Sequence, residues 1–349
     1  LVVIFIGAEE MAYRATLDCS NFASGAEKLN ASLSNMGIKT NSASANLGSL
    51  GTLLGSLASP MTLVAGGATA VGAALASSVG TAATFQQSMA NVNSVLGGNA
   101  ATFQKLSDTA REAGATTVFS ASQAADALYF MASAGFSADQ SAAALGDTLN
   151  LAAAGNLDLA RASEIVTGTI AQFNLKAEDA GRIANVLAAG AAATNSDIGQ
   201  LGDAMKNAGP MAASLGMSIE ETTAALGIFA NSNVKGAEAG TALKSMLGSL
   251  VGPSKEAAAA LGEMGLTVDD VNPALHSYGE IMLTLNEHHM TAAQGVKIFG
   301  KEMVSNALIA VNGAKGYDSL TESITGTNKA SEMAAIQNAT YEGSMKEMS

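Results

Sequence analysis

Gly295 to Lys301 reads GVKIFGK, with two glycines and a lysine at the spacing of a phosphate-binding loop. Such a loop wraps phosphate in backbone amides and needs a Ser or Thr hydroxyl next in line to reach magnesium. Glu302 stands there instead, its carboxylate would repel phosphate, and no strand pattern precedes it, so the segment reads as a helix junction. His276, His288 and His289 are the three histidines of the chain. His288 and His289 are adjacent, and Glu287 beside them completes neither HExxH nor its inverse, so they read as surface-loop residues. Asp269 and Asp270 could pair as acid and base, yet spacing fixes no partner for them, and they read as caps of a turn before Asn272-Pro273. Cys19 has no nearby histidine, and no serine sits in a GxSxG setting. Nucleotide-driven catalysis through GVKIFGK is the enzymatic alternative; the residues favour no catalytic, cofactor-binding or metal site.

The chain has 349 residues, is 48% hydrophobic but 4% aromatic, and carries a net charge of −13. That balance opposes phosphate-driven binding, so no specific nucleic-acid partner is expected. A single cysteine excludes an intrachain disulfide. The opening LVVIFIGAEE lacks a basic region and is too short for a signal sequence or membrane span. Met11 is a plausible initiator, Tyr13 to Phe22 alternates like a short strand, and Lys329 to Met348 reads as a helix without a terminal cap, so a longer parent chain is expected.

From Thr40 to Gln104 there is no Asp, Glu, Lys, Arg or His. Large apolar residues alternate spacings of four and three: Phe22, Leu29, Leu33, Met36, Leu47, Leu50, Leu54, Leu57, Met61, Val64, Val71 and Leu75, with Ala26, Ala43, Ala68 and Thr40 filling the register. That 3.5-residue period predicts a left-handed coiled coil about 80 Å long, buried by self-association. Pro60 predicts a kink. The flanks are Ser, Thr, Asn, Ala and Gly rather than Glu/Lys pairs, so charge addresses the pairing weakly. The stretch Leu47 to Ala83 also supports a membrane-active or pore-forming alternative, since Met61 to Val79 is uncharged and small residues share a face at Ala68, Gly72, Ala76 and Gly80.

Downstream, Ser120/Gln123, Ser137/Gln140, Ser218/Glu221 and Thr291/Gln294 have the spacing of reciprocal capping boxes. Helices are expected over 79–96, 99–113, 121–134, 138–154, 159–173, 177–193, 197–215, 219–231, 237–251 and 254–264, broken at Gly97-Gly98, Gly114, Gly135, Gly155-Asn156 and Asn174. The short connections predict antiparallel neighbours. No internal repeat of fixed period is apparent, which disfavours a solenoid.

Ala110 to Leu175 (AREAGATTVFSASQAADALYFMASAGFS…FNL), Asn231 to Leu247, Pro253 to Leu266 and Ile298 to Lys301 together resemble the conserved domain of tailed-phage tape measure proteins, over roughly residues 85–345. The resemblance implies a non-enzymatic virion protein that occupies the tail tube lumen, templates tube assembly, sets tail length and is ejected ahead of DNA. It implies further copies of itself, the tail tube protein, the tail assembly chaperone, baseplate or tip proteins and the host inner membrane as partners, with the host cytoplasm as the place of assembly. Gly114, Thr117, Phe119, Ser120, Gly135, Gly240 and Thr241 match recurrent family positions, with turning, capping and packing roles. Members are usually longer and some carry a peptidoglycan-cleaving domain, which is absent from this sequence.

The expected fold is all-α: a lead over 1–21, a long apolar helical segment over 22–84 that is uncharged from Thr40, a bundle of short antiparallel amphipathic helices over 85–264, and further helices over 265–349.

Overall fold

The computed structural model describes the backbone of residues 69–348 and the side chains of 81–340. The seam from Phe22 to Val64, the kink at Pro60 and the strand expected at Tyr13 to Phe22 lie outside the described residues, as do the side chains of Val71 and Leu75.

The described residues form helices and no strand. In chain order they are α1 (Thr69–Leu96), α2 (Ala100–Thr116), α3 (Ala121–Ser133), α4 (Ala138–Gly155), α5 (Leu159–Gln172), α6 (Ala180–Ala193), α7 (Ile198–Ser214), α8 (Ile219–Asn231), α9 (Gly236–Val251), α10 (Lys255–Glu263), α11 (Tyr278–Glu287), α12 (Ala292–Phe299), α13 (Val304–Gly313), α14 (Tyr317–Ile324) and α15 (Lys329–Met348).

Helix α3 illustrates how these sequences make helices. Ser120 accepts from the Gln123 amide while the Gln123 side chain accepts from the Ser120 amide, which settles free donors at the start. The apolar face of Ala124, Ala125, Leu128 and Met131 is fully buried. Burial of Leu128 and Met131 contributes about 2 kcal/mol each. The helix stops where Gly135 adopts φ +96, a conformation that costs a residue with a Cβ.

That ending recurs. A residue in the left-handed region is followed by an apolar residue and then a capping or start residue: Gly135-Phe136-Ser137, Asn156-Leu157-Asp158, Asn174-Leu175-Lys176, Gly216-Met217-Ser218 and Asn233-Val234-Lys235. In each, the apolar residue's amide donates to the carbonyl five residues back, as in Leu157 to Ala152 at 2.9 Å and Met217 to Ala212 at 3.0 Å. This is the Schellman closure, and it turns the chain in three residues.

Such corners build an array. Helices α3, α5, α7 and α9 begin at Ala121, Leu159, Ile198 and Gly236, in steps of 38 or 39 residues. Arg161 pairs with Asp203, and Glu164 with Lys206, while Gly209 lies against Gln172 and Phe173, so α5 and α7 run in the same direction. The contacts of Asp203 with Gly236, Ala204 with Gly240 and Met211 with Gly248 give the same result for α7 and α9. Arg182 with Glu220, Gly190 with Thr223 and Thr194 with Gly227 do so for α6 and α8. Second neighbours are therefore parallel, in two layers, as chain reversal at each corner requires. The expectation that no fixed period exists is corrected by this geometry: the repeat is one of backbone corners rather than of side-chain identity.

Helices α13, α14 and α15 form a third layer against α4, α6 and α8, and α12 packs on α9 and α10. One continuous apolar core runs from Met89 to Ala330.

Candidate functional site

Several residues with chemical potential are engaged in structure. Gly295, Lys297, Ile298 and Phe299 lie within helix α12. Ile298 and Phe299 are buried, Lys297 pairs with Glu263 at 2.7 Å, and the Gly300 amide donates to the Val296 carbonyl, so the amides a phosphate cradle would present close a helix instead. His288 Nδ1 lies 2.9 Å from the Met264 carbonyl oxygen, and His289, at φ 55, occupies a corner. Asp270 accepts from both the amide and the hydroxyl of Thr267, and these bonds, with the charges of His276 and His288, hold its carboxyl below the usual range. Among the described residues no group of three or more His, Cys, Asp or Glu could hold a metal ion. Cys19 lies outside them.

The family-pattern residues divide between two joints. At the first, Gly114 is not a helix break, as the sequence suggested, but lies inside the last turn of α2. A Cβ there would stand 2.4 Å from the Ala121 amide nitrogen, so its absence lets the start of α3 touch α2. The Thr117 hydroxyl donates to the Ala113 carbonyl at 2.8 Å and accepts from the Phe119 amide, shaping the link that Phe119 packs beneath and Ser120 ends as a cap. Gly135 closes the same helix. At the second joint, a Cβ on Gly240 would meet the Ala204 carbonyl oxygen at 2.2 Å, so α7 and α9 are in backbone contact there. The neighbouring Thr241 is exposed, its hydroxyl bonded to the Ala237 carbonyl at 2.8 Å.

Two features were not anticipated. Arg182 on α6 grips Glu220 on α8 with two bonds of 2.7 Å, and the Glu220 side chain is 8% exposed. Burial pushes the Glu220 carboxyl up, but the guanidinium, its own backbone amide and the Ser218 hydroxyl outweigh this and leave it below the ordinary value. The pair joins residues 38 apart, so only knowledge of the helical period could have flagged it. Ser277 and Glu280 form a further capping box before α11; that spacing was legible in the sequence.

The family-pattern residues thus lie at joints between helices. Among the described residues no helix is long and apolar enough to cross a membrane. This includes residues 69–83, the described part of the segment considered as membrane-active.

The model of the phage-related minor tail protein family matches residues 107–304. The chain is 31% identical to the tape measure protein of Pneumococcus phage Dp-1 over 337 residues, covering 93% of this chain and 28% of that protein. It is 29% identical to the probable tape measure protein of Escherichia phage P2 over 275 residues, covering 75% of this chain and 34% of that one. The chain therefore spans about a third of the length of these relatives or less. No solved structure matches. With its matched residues running from α2 to the start of α13 through every joint described above, the chain belongs to the phage-related minor tail protein family.

Proposed function

We propose that this chain acts as part of a tail tape measure protein, which lies in the tail tube lumen, templates tube assembly, sets tail length and leaves ahead of DNA. The observation that carries this reading is the identity to the Dp-1 tape measure protein across 93% of the chain. Its partners are further copies of itself, joined through the seam Phe22 to Leu75, together with the tube protein, the assembly chaperone and baseplate or tip proteins. Assembly takes place in the host cytoplasm, and the finished site is the virion.

The reading gives different duties to different segments. An extended helix adds about 1.5 Å per residue, so a 39-residue hairpin drawn out as helix would measure about 58 Å. Folded, the same hairpin advances the array by one interhelical spacing, about 10 Å. The folded array is a poor ruler. In this reading 22–84 measures as a rod, 85–264 is the family's folded domain, and 265–349 adds the helices that cover it.

The test is tail length by electron microscopy in phage carrying an in-frame duplication of about four heptads within the seam. Tails lengthened by about 42 Å are expected. Tails of unchanged length would overturn the ruler reading of this segment.

A further inference from the structure

Helix α15 closes the third layer and is attached unlike its neighbours. Helix α14 is anchored by Tyr317 and Ile324, both buried, and by the Tyr317 hydroxyl donating to the Glu221 carbonyl at 3.0 Å. After it comes a short link, residues 325–328, with Gly326 at φ 66. Beyond the link, α15 lies across α4 and α6, helices from successive hairpins of the array.

Its seat is lined by small side chains. Among its described side chains, 329–340, the fully buried apolar ones are Ala330 and Ala334, while Met333 packs half-buried against the core and Ile336 is 66% exposed. Two asparagines contribute polar attachments. The Asn185 side chain in α6 accepts from the Ala330 amide at 2.9 Å, and near it the Thr327 hydroxyl approaches the Asn185 carbonyl at 3.5 Å. Farther along, the Asn338 side chain accepts from the Val118 amide at 2.9 Å, just before α3. The array helices, by contrast, interlock through fully buried Leu, Ile and Met side chains.

From this difference we infer that α15 is a strap, hinged at residues 325–328, which detaches as a unit from α4 and α6 while the array beneath remains folded. Among the described side chains of α15 only alanines are fully buried, a smaller hydrophobic hold than the Leu, Ile and Met of the array, so opening of this element lies below global unfolding. Because the strap spans two hairpins, its release is the first step in drawing the three layers apart. That consequence deepens the tail reading, in which a folded domain must be threaded; the strap itself stands or falls independently of it.

Hydrogen exchange on the intact chain, followed peptide by peptide, tests the strap. In the wild type, amides of α15 are expected to exchange at least tenfold faster than those of α5 and α7. Asn185→Ala should speed α15 exchange by about a further tenfold and leave α5 and α7 unchanged. Asn338→Ala should act in the same direction. Should α15 and the array exchange at one common rate in the wild type, or should either variant accelerate all helices together, the strap is refuted; the wild-type comparison decides the matter even if a variant fails to fold. Tail assembly is not part of the readout, so failure of the tape-measure reading would leave this result intact.

Discussion

At the scale of the residue, the molecule depends on positions where a small change meets fixed backbone. Gly240 sits in the interior of α9, where glycine costs about 1 kcal/mol relative to alanine. It is tolerated because a methyl group would stand 2.2 Å from the Ala204 carbonyl oxygen, an atom held by α7 and unable to rotate away. Gly240→Ala is expected to lower stability by about 2 kcal/mol despite its better helix propensity, as read by urea denaturation. The Arg182–Glu220 pair makes a pH-dependent contribution. Its carboxyl is held below the ordinary glutamate value, so the stability it adds is present above that value and disappears as the pH falls through the folded one. Glu220→Gln should cost about 2 kcal/mol at neutral pH, and the gap from wild type should close in acid. A gap independent of pH would show that the two bonds matter through shape alone.

At the scale of the element, the corner governs. Seven of the described left-handed non-glycine and glycine residues, among them Gly135, Asn156 and His289, precede an apolar residue whose amide closes a helix five residues back. The backbone needs φ > 0 and a cap, and more than one residue type supplies each. Exchanging one corner's chemistry for another's should therefore be nearly silent. Asn156→Gly combined with Asp158→Ser is expected to change stability by less than about 0.5 kcal/mol, whereas Asn156→Val should cost about 2 kcal/mol. Thermal denaturation of the two variants against wild type distinguishes these outcomes. This freedom explains why the helices were legible and the period was not. Capping boxes at Ser120, Ser137, Ser218 and Thr291 mark helix starts in the sequence, and each is made in the structure. The corners, spelled with Gly, Asn or His and then Ser, Asp, Lys or Thr, share a conformation rather than a string.

At the scale of the whole molecule, the acidic, cysteine-poor chain carries an apolar N-terminal sequence pattern ahead of a layered array. If the seam drives association as proposed, the full chain should sediment as an oligomer. A truncated chain beginning at Leu75, the start of the compact unit, should be monomeric with its helices retained. A monomeric full chain at micromolar concentration, or an oligomeric truncation, would remove the seam from the assembly role. The candidate joints were legible to different degrees. Ser120 and Gly135 announce themselves because capping and left-handed turns are local requirements. Gly114 misled, since a glycine near a helix end looks like a stop, and only the approach of Ala121 gives it another purpose.

The sequence by itself determined the all-helical class, where most helices start and stop, and that GVKIFGK forms a helix junction, because caps and apolar periodicity act within a few residues of chain. It also carried the family resemblance, since an ordered string of motifs survives where single helices do not. Tertiary structure alone decided that second neighbours run parallel, that helix starts in one layer recur every 38 or 39 residues, that Arg182 meets Glu220, and that α13 to α15 return to cover α4, α6 and α8. Those are long-range outcomes: alanine-rich faces fit many neighbours almost equally well, and which neighbour wins is set by the summed geometry of corners and by glycines that admit backbone contact.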